Sequence, residues 1–127
     1  MDMQVFATLP ASDIDRARKW YSEKLGLEPY ETSEDGSLYY EIDGSRFLVY
    51  PSQFAGTNQA TAAGLVVDNF DSAKDDLSAK GVVFEDYDFG EDFRTENGVI
   101  TNPDGSRAAW FKDSEDNILA VSEDLER

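Results

Sequence analysis

The chain is 127 residues long and carries 27 acidic residues against 11 basic ones, for a formal net charge of −16, with neither cysteine nor histidine. That length supports one compact domain, or two small modules that share a core. The missing cysteines exclude a disulfide framework and a thiol nucleophile, and the acidity repels phosphate backbones and anionic membrane surfaces, so neither nucleic acid nor membrane is expected as a partner.

Gln4 to Leu9 reads as a strand, with Val5, Ala7 and Leu9 on one face and Phe6 and Thr8 on the other; two apolar-leaning faces predict that it is buried. Ser12-x-x-Asp15 then sets an N-cap acceptor three residues before an acidic one. Ile14, Ala17 and Tyr21 follow as the stripe of an amphipathic helix that closes on Lys24 and Gly26. Leu27 to Thr32 resumes extended structure. The Asp35-Gly36 and Asp43-Gly44 turns separate the runs Ser37 to Ile42 and Ser45 to Pro51 into an antiparallel meander, giving a βαβββ module over residues 1–52.

Gln53 to Asn58 lacks periodicity and is placed as a connector, with the second module running over residues 59–127. There the opening pattern returns in degraded form. Asp68-x-x-Asp71 repeats the cap at an offset of 68 − 12 = 56, Phe70, Ala73 and Leu77 repeat the stripe, and Lys80 and Gly81 repeat the stop. Gln59 to Val67 is the matching strand. Val82 to Glu85 is extended, and Asp86 to Asn97 is a long acidic loop with Tyr87, Phe89, Phe93 and Arg94, of the kind that often forms a lid. Gly98 to Thr101, Arg107 to Lys112 and Asn117 to Glu123, joined by turns at Pro103-Asp104-Gly105 and Ser114 to Asp116, complete a second βαβββ; the acidic end is expected to fray. No apolar run is long enough to cross a bilayer and no signal-peptide pattern opens the chain, so a cytoplasmic location is expected.

The opening ATLPASDIDRARKWYSEKLGLEP and the closing AAWFKDSEDNILAVSE resemble the corresponding stretches of vicinal-oxygen-chelate proteins, a superfamily that includes glyoxalase I, extradiol dioxygenases, fosfomycin-resistance enzymes and bleomycin-binding proteins. The resemblance implies an α+β fold in which two βαβββ modules form a cup-shaped mixed sheet around a ligand or metal. It also implies a homodimer. In metal-dependent members the first and last strands of each module each place one ligand in the cup. Here the implied positions are Phe6, Val49, Ala62 and Ala120, and none can coordinate; with no histidine in the chain, no metal and no other cofactor is expected.

Strand alternation puts Thr8, Phe47, Gly64, Val66, Ile118 and Ser122 in phase with those four, an apolar lining with room at the small residues and two rings able to stack on a planar guest. An apolar lining is equally what a filled core looks like. Rim candidates are Tyr50, Thr57, Asn58, Gln59 and Arg94, with Trp110 covering one wall; Arg94 either pins its acidic loop or meets an anionic ligand. The expected ligand-binding set is therefore Phe6, Thr8, Phe47, Val49, Gln59, Ala62, Gly64, Arg94, Trp110 and Ala120. No catalytic set emerges: Asp35, Asp43 and Asp104 are accounted for by turns, and Ser-His-Asp and Cys-His arrangements are excluded by composition. The reading is a metal-free protein that binds a small, largely apolar or cationic molecule, as bleomycin-binding members do. The alternatives are a metal-independent enzyme using a Tyr or loop carboxylate, and a scaffold that binds nothing.

Overall fold

A computed structural model describes residues 1–123; the acidic end expected to fray, 124–127, lies outside the described residues. The elements run β1 (Ala7–Ala11), α1 (Ile14–Leu25), β2 (Glu31–Thr32), β3 (Leu38–Ile42), β4 (Ser45–Pro51), β5 (Thr61–Val67), α2 (Phe70–Ala79), β6 (Val99–Thr101), β7 (Arg107–Lys112) and β8 (Ile118–Glu123). They form two four-stranded sheets, ordered β1-β4-β3-β2 and β5-β8-β7-β6. In each sheet the first strand of the module pairs in parallel with the last, and the remaining pairs are antiparallel. The architecture is α+β, βαβββ twice, with β1 and β5 in contact where the sheets meet. Among the described residues no helix is long and apolar enough to cross a membrane.

Both helix starts fall one residue later than the capping pattern predicts. Asp13 accepts from the Arg16 N–H at 3.0 Å and Asn69 from the Ser72 N–H at 2.9 Å, so the caps are Asp13 and Asn69 rather than Ser12 and Asp68. The repeat survives the shift, because 69 − 13 is again 56. Each helix runs into a glycine with positive φ, Gly26 at 67° and Gly81 at 91°.

The first strand differs more from expectation. It starts at Ala7, and Val5 before it is almost wholly exposed. Only one face of β1 is buried, through Leu9 and Ala11; Thr8 opposite is exposed. That buried face continues across the sheet as Leu9, Val49 and Leu38, which are in register and all at most 2 % exposed. Helix α1 covers it: the buried Tyr21 ring lies 5.6 Å from Tyr40 and 5.7 Å from Phe47, and Tyr40 stacks on Phe47 at 4.8 Å. In the second sheet Ala109, Phe111, Leu119 and Val121 are buried with Phe70 and Leu77 of α2, and Trp20 of α1 stacks on Phe111 at 6.2 Å. One core therefore serves both modules.

A polar latch fastens the modules. The turn between β7 and β8 buries Asp113, Glu115 and Asn117. Tyr21 donates to Asp113 at 2.6 Å, Asn117 donates to the Pro10 carbonyl at 2.9 Å, and Arg16 grips both oxygens of Glu115 at 2.7 and 2.9 Å. Ser12 and the Asp13 N–H also donate to Glu115, which is why Ser12 is not the helix cap. Burial pushes the Glu115 carboxyl up, but the bonds from Arg16, Asp13 and Ser114 outweigh it and hold its pKa at about 2.

Candidate functional site

The faces of the two sheets turned away from the helices are the open ones, and strand register decides which residues reach them. Thr8 pairs with Leu48, and Gly64 with Ala120. These two pairs are repeats of each other: 64 − 8 = 56 and 120 − 48 = 72, the second offset being the one that also relates Val49 to Val121 (121 − 49 = 72). On β4 the open face consequently carries Arg46, Leu48 and Tyr50, whereas Phe47 and Val49 point under α1.

Two of the expected site residues, Phe47 and Val49, lie on the helix side of β4 instead, although Phe47 also borders the cavities described below. Phe47 is part of the aromatic stack with Tyr40 and Tyr21, and Val49 is fully buried. A third, Ala62, is the extra residue of a bulge: Thr61 pairs with Ile118 and Ala63 with the very next residue, Leu119, which leaves Ala62 packed against the core. Gln59 is exposed just after the connector, beside Thr57 and Asn58, whose side chains bond locally to the Phe54 and Ala60 carbonyls; none of the three lines either of the two cavities described below. Arg94 is paired with Asp88 at 3.2 Å within its own loop, the pinning role.

The structure does bring Phe6, Thr8, Gly64, Trp110 and Ala120 onto the open face. Trp110 lies beside Ala120, which in turn lies beside Gly64. The Trp110 indole N–H donates to the Thr61 hydroxyl at 3.0 Å, two strands away, so the ring reaches across β8 over the small Ala120 side chain. Tyr87 and Phe93 meet Trp110 at 5.9 and 5.4 Å between ring centroids, and Phe89 stacks on Tyr87 at 5.9 Å while remaining mostly exposed. Thr95 holds this loop by donating to Asp86, and its hydroxyl accepts from the Tyr87 N–H. The acidic loop thus supplies an aromatic wall.

Across the seam, the open face of the first module forms a cavity of about 620 Å³. Its walls are Phe6, Tyr30 and Tyr39, with Leu48 on its floor and Glu41 and Arg46 at one end. The Arg46 guanidinium sits 5.4 Å from the Tyr30 ring centroid and 4.0 Å from Glu41, so its charge is already shared between a π face and a carboxylate. Sequence reasoning missed Tyr30, Tyr39, Glu41, Arg46 and Leu48 as a group. The signal was present on β4, where Arg46 and Tyr50 alternate with Phe47 and Val49: the polar-bearing phase is the one that faces out.

A metal in this superfamily's manner would have to be held by the first and last strands of each module. The polar side chains on the open face of those strands are Thr8, Arg46, Tyr50, Thr61 and Ser122, among apolar or small neighbours such as Leu48, Gly64 and Ala120; they offer neutral hydroxyls and a guanidinium but no imidazole, carboxylate or thiolate. They do not fit a divalent ion. Among the described residues no group of three or more carboxylates, imidazoles or thiols is placed to hold a metal elsewhere.

Residues 4–121 match the family described as the Glyoxalase/Bleomycin resistance protein/Dioxygenase superfamily, and the chain belongs to it. Solved structures share the fold end to end. A glyoxalase/bleomycin resistance protein from Catenulispora acidiphila aligns over 97 % of this chain and 99 % of its own, at 21 % identity and a TM-score of 0.70. A lactoylglutathione lyase from Agrobacterium tumefaciens aligns over 96 % and 94 %, at 17 % identity and a TM-score of 0.72. A fosfomycin resistance protein from Listeria monocytogenes, solved with Mn(II) and a phosphonic acid, aligns over 99 % and 94 %, at 14 % identity and a TM-score of 0.66. No curated protein matches.

Proposed function

We propose that the protein binds and sequesters a small planar organic molecule, neutral or cationic, on the open face, without a metal and without transforming it. The observation that carries this reading is the cavity of about 620 Å³ walled by Phe6, Tyr30 and Tyr39. Its size lies in the range of small-molecule sites, and its rings offer stacking surfaces at low entropic cost. The net charge of −16 favours a cationic substituent over an anionic one. The polar groups of the cavity do not include an acid–base pair set against a nucleophile: Glu41 is engaged by Arg46.

Thermal shift against planar aromatic compounds with and without an ammonium group tests the reading. Stabilisation by such compounds that is lost in Tyr39→Ala supports it. Turnover of a stabilising compound, stabilisation indifferent to Tyr39→Ala, or about one transition metal per chain surviving a chelator wash would each sink it.

The protein is further proposed to be a homodimer in which a second copy covers the exposed Phe6, Val66 and Phe89 side chains. Sedimentation across a salt series tests this, since the charge of −16 opposes association at low ionic strength; monomer at every salt concentration refutes it.

A further inference from the structure

The repeat that builds the fold leaves a second cavity, of about 220 Å³, on the helix side of the seam between the sheets. Six of its lining residues form three symmetry-related pairs at the same two offsets: Ala7 with Ala63, Leu9 with Leu65, and Phe47 with Leu119. It therefore straddles the pseudo-twofold axis, with the larger part of its wall from the first module and the rest from the second. Tyr21 and Leu25 of α1 close it on the helix side.

Its chemistry differs from that of the open face. The Tyr21 hydroxyl is committed to Asp113, leaving only ring surface for the cavity. Arg46 borders it, but the guanidinium is drawn to Tyr30 and Glu41 on the other side of the sheet. Gly64 contributes no side chain, and the Ser45 hydroxyl is the remaining polar side-chain group of the lining. A cleft this size, lined mainly by apolar groups and lacking an opposing charge, favours an uncharged guest over an ion.

We propose that this cavity is a second binding site, for a small uncharged apolar molecule of about six to ten non-hydrogen atoms, a monocyclic aromatic being the best fit, as an apolar protein cavity of about 150 Å³ suffices for benzene. Because the guest touches both modules at once, it binds only when they are apposed as here. Binding therefore stabilises the seam between them.

The test uses benzene and benzylammonium as probes, read by methyl NMR of Leu9, Leu65 and Leu119 in the full chain. Benzene is expected to shift all three sets of methyl signals saturably, with benzylammonium at least about tenfold weaker. Ala63→Ile fills the cavity from its own wall and should abolish the benzene response while raising the melting temperature. Leu25→Ala enlarges it and should tighten benzene binding, which keeps the test decisive if Ala63→Ile does not fold. Leu48→Ala, on the opposite face, should leave the benzene response of these three sets of methyl signals within about twofold, whatever it does to binding in the open-face cavity. Unshifted methyl signals, benzylammonium binding as well as benzene, or a benzene response that survives in a folded Ala63→Ile protein or weakens in Leu25→Ala, would overturn the proposal.

Discussion

Lys24 and Lys80 hold each other's helix end: the Lys24 ammonium donates to the Lys80 carbonyl, and the Lys80 ammonium donates back to the Lys24 carbonyl at 3.5 Å. The two positions are 80 − 24 = 56 residues apart, the offset of the helix caps, so the pseudo-twofold axis passes between them. Each ammonium also meets a helix C-terminus, where the dipole favours positive charge and carbonyls lack intrahelical partners. Because both side chains are partly exposed, Lys24→Ala and Lys80→Ala should each lower stability by only about 0.5–1 kcal/mol. The double variant should lose less than the sum, since the two bonds share one geometry. Urea unfolding of the four proteins reads this directly, and strict additivity would show that the exchange is not formed.

The latch at Glu115 gives an acid-sensitive contribution whose sign is fixed by its pKa. The carboxyl titrates at about 2 in the folded protein against an ordinary 4.5, so its contribution is complete above about 4.5 and is lost as pH falls toward 2. Glu115→Gln should cost about 1–3 kcal/mol at neutral pH, by leaving Arg16 and the Asp13 N–H with a weaker acceptor. The gap in stability between wild type and variant should then close between pH 4.5 and 2. A gap that stays constant through that window would place the cost in packing and not in charge.

Tyr40 makes the opposite prediction. Its hydroxyl is buried without a hydrogen-bond partner among the described residues, and burial raises its pKa to about 12, with Arg18 lowering and Glu28 raising it to smaller extents. Tyr40→Phe keeps the stack on Phe47 and removes the unsatisfied group, so stability should rise by about 1 kcal/mol. A lower urea midpoint in the variant would mean that the hydroxyl has an acceptor after all.

Neighbouring residues on β4 separate core from site. Val49→Ala should cost about 2 kcal/mol, since it empties fully buried space beneath α1, and should leave open-face ligand affinity unchanged. Leu48→Ala should do the reverse, with a small stability cost and an altered affinity for whatever stacks between Tyr39 and Phe6. Equal stability losses at the two positions would contradict the assigned faces.

The fold was legible because its signals are local. Ser45 to Pro51 and Arg107 to Lys112 form strands with the bounds expected from their turns, and the 56-residue repeat is carried by caps and stripes within single turns of helix. At α1 the cap lies one residue beyond the pattern because Ser12 and Asp13 are both competent, and the choice is made by Glu115, about a hundred residues away. The site was only half legible for the same reason. The phase of β4 relative to β1 is a property of their pairing, and an apolar Phe47 and Val49 suit a pocket lining as well as a core. Taking Ala120 as inward while also taking Val49 as inward was inconsistent with the 72-residue offset between the last strands, but that offset becomes visible only once both pairings are known.

The latch has no twin. Its repeat-related residues at the turn between β3 and β4 are Asp43 and Ser45, at 115 − 72 and 117 − 72, and both are exposed where Glu115 and Asn117 are buried. A duplicated unit that fastens itself once releases the second copy from that duty. In a randomised library selected for soluble expression, survivors should therefore accept almost any residue at Ser45, while Asp43, whose φ is 47°, should be held only by its turn and vary among residues such as Asn, Asp and Gly. The stretch from Asp113 to Asn117 should return close to its starting sequence. The ancestral symmetry would then persist in the backbone while the two halves drift under unequal constraint, with the freer one lying beside the cavity on the axis.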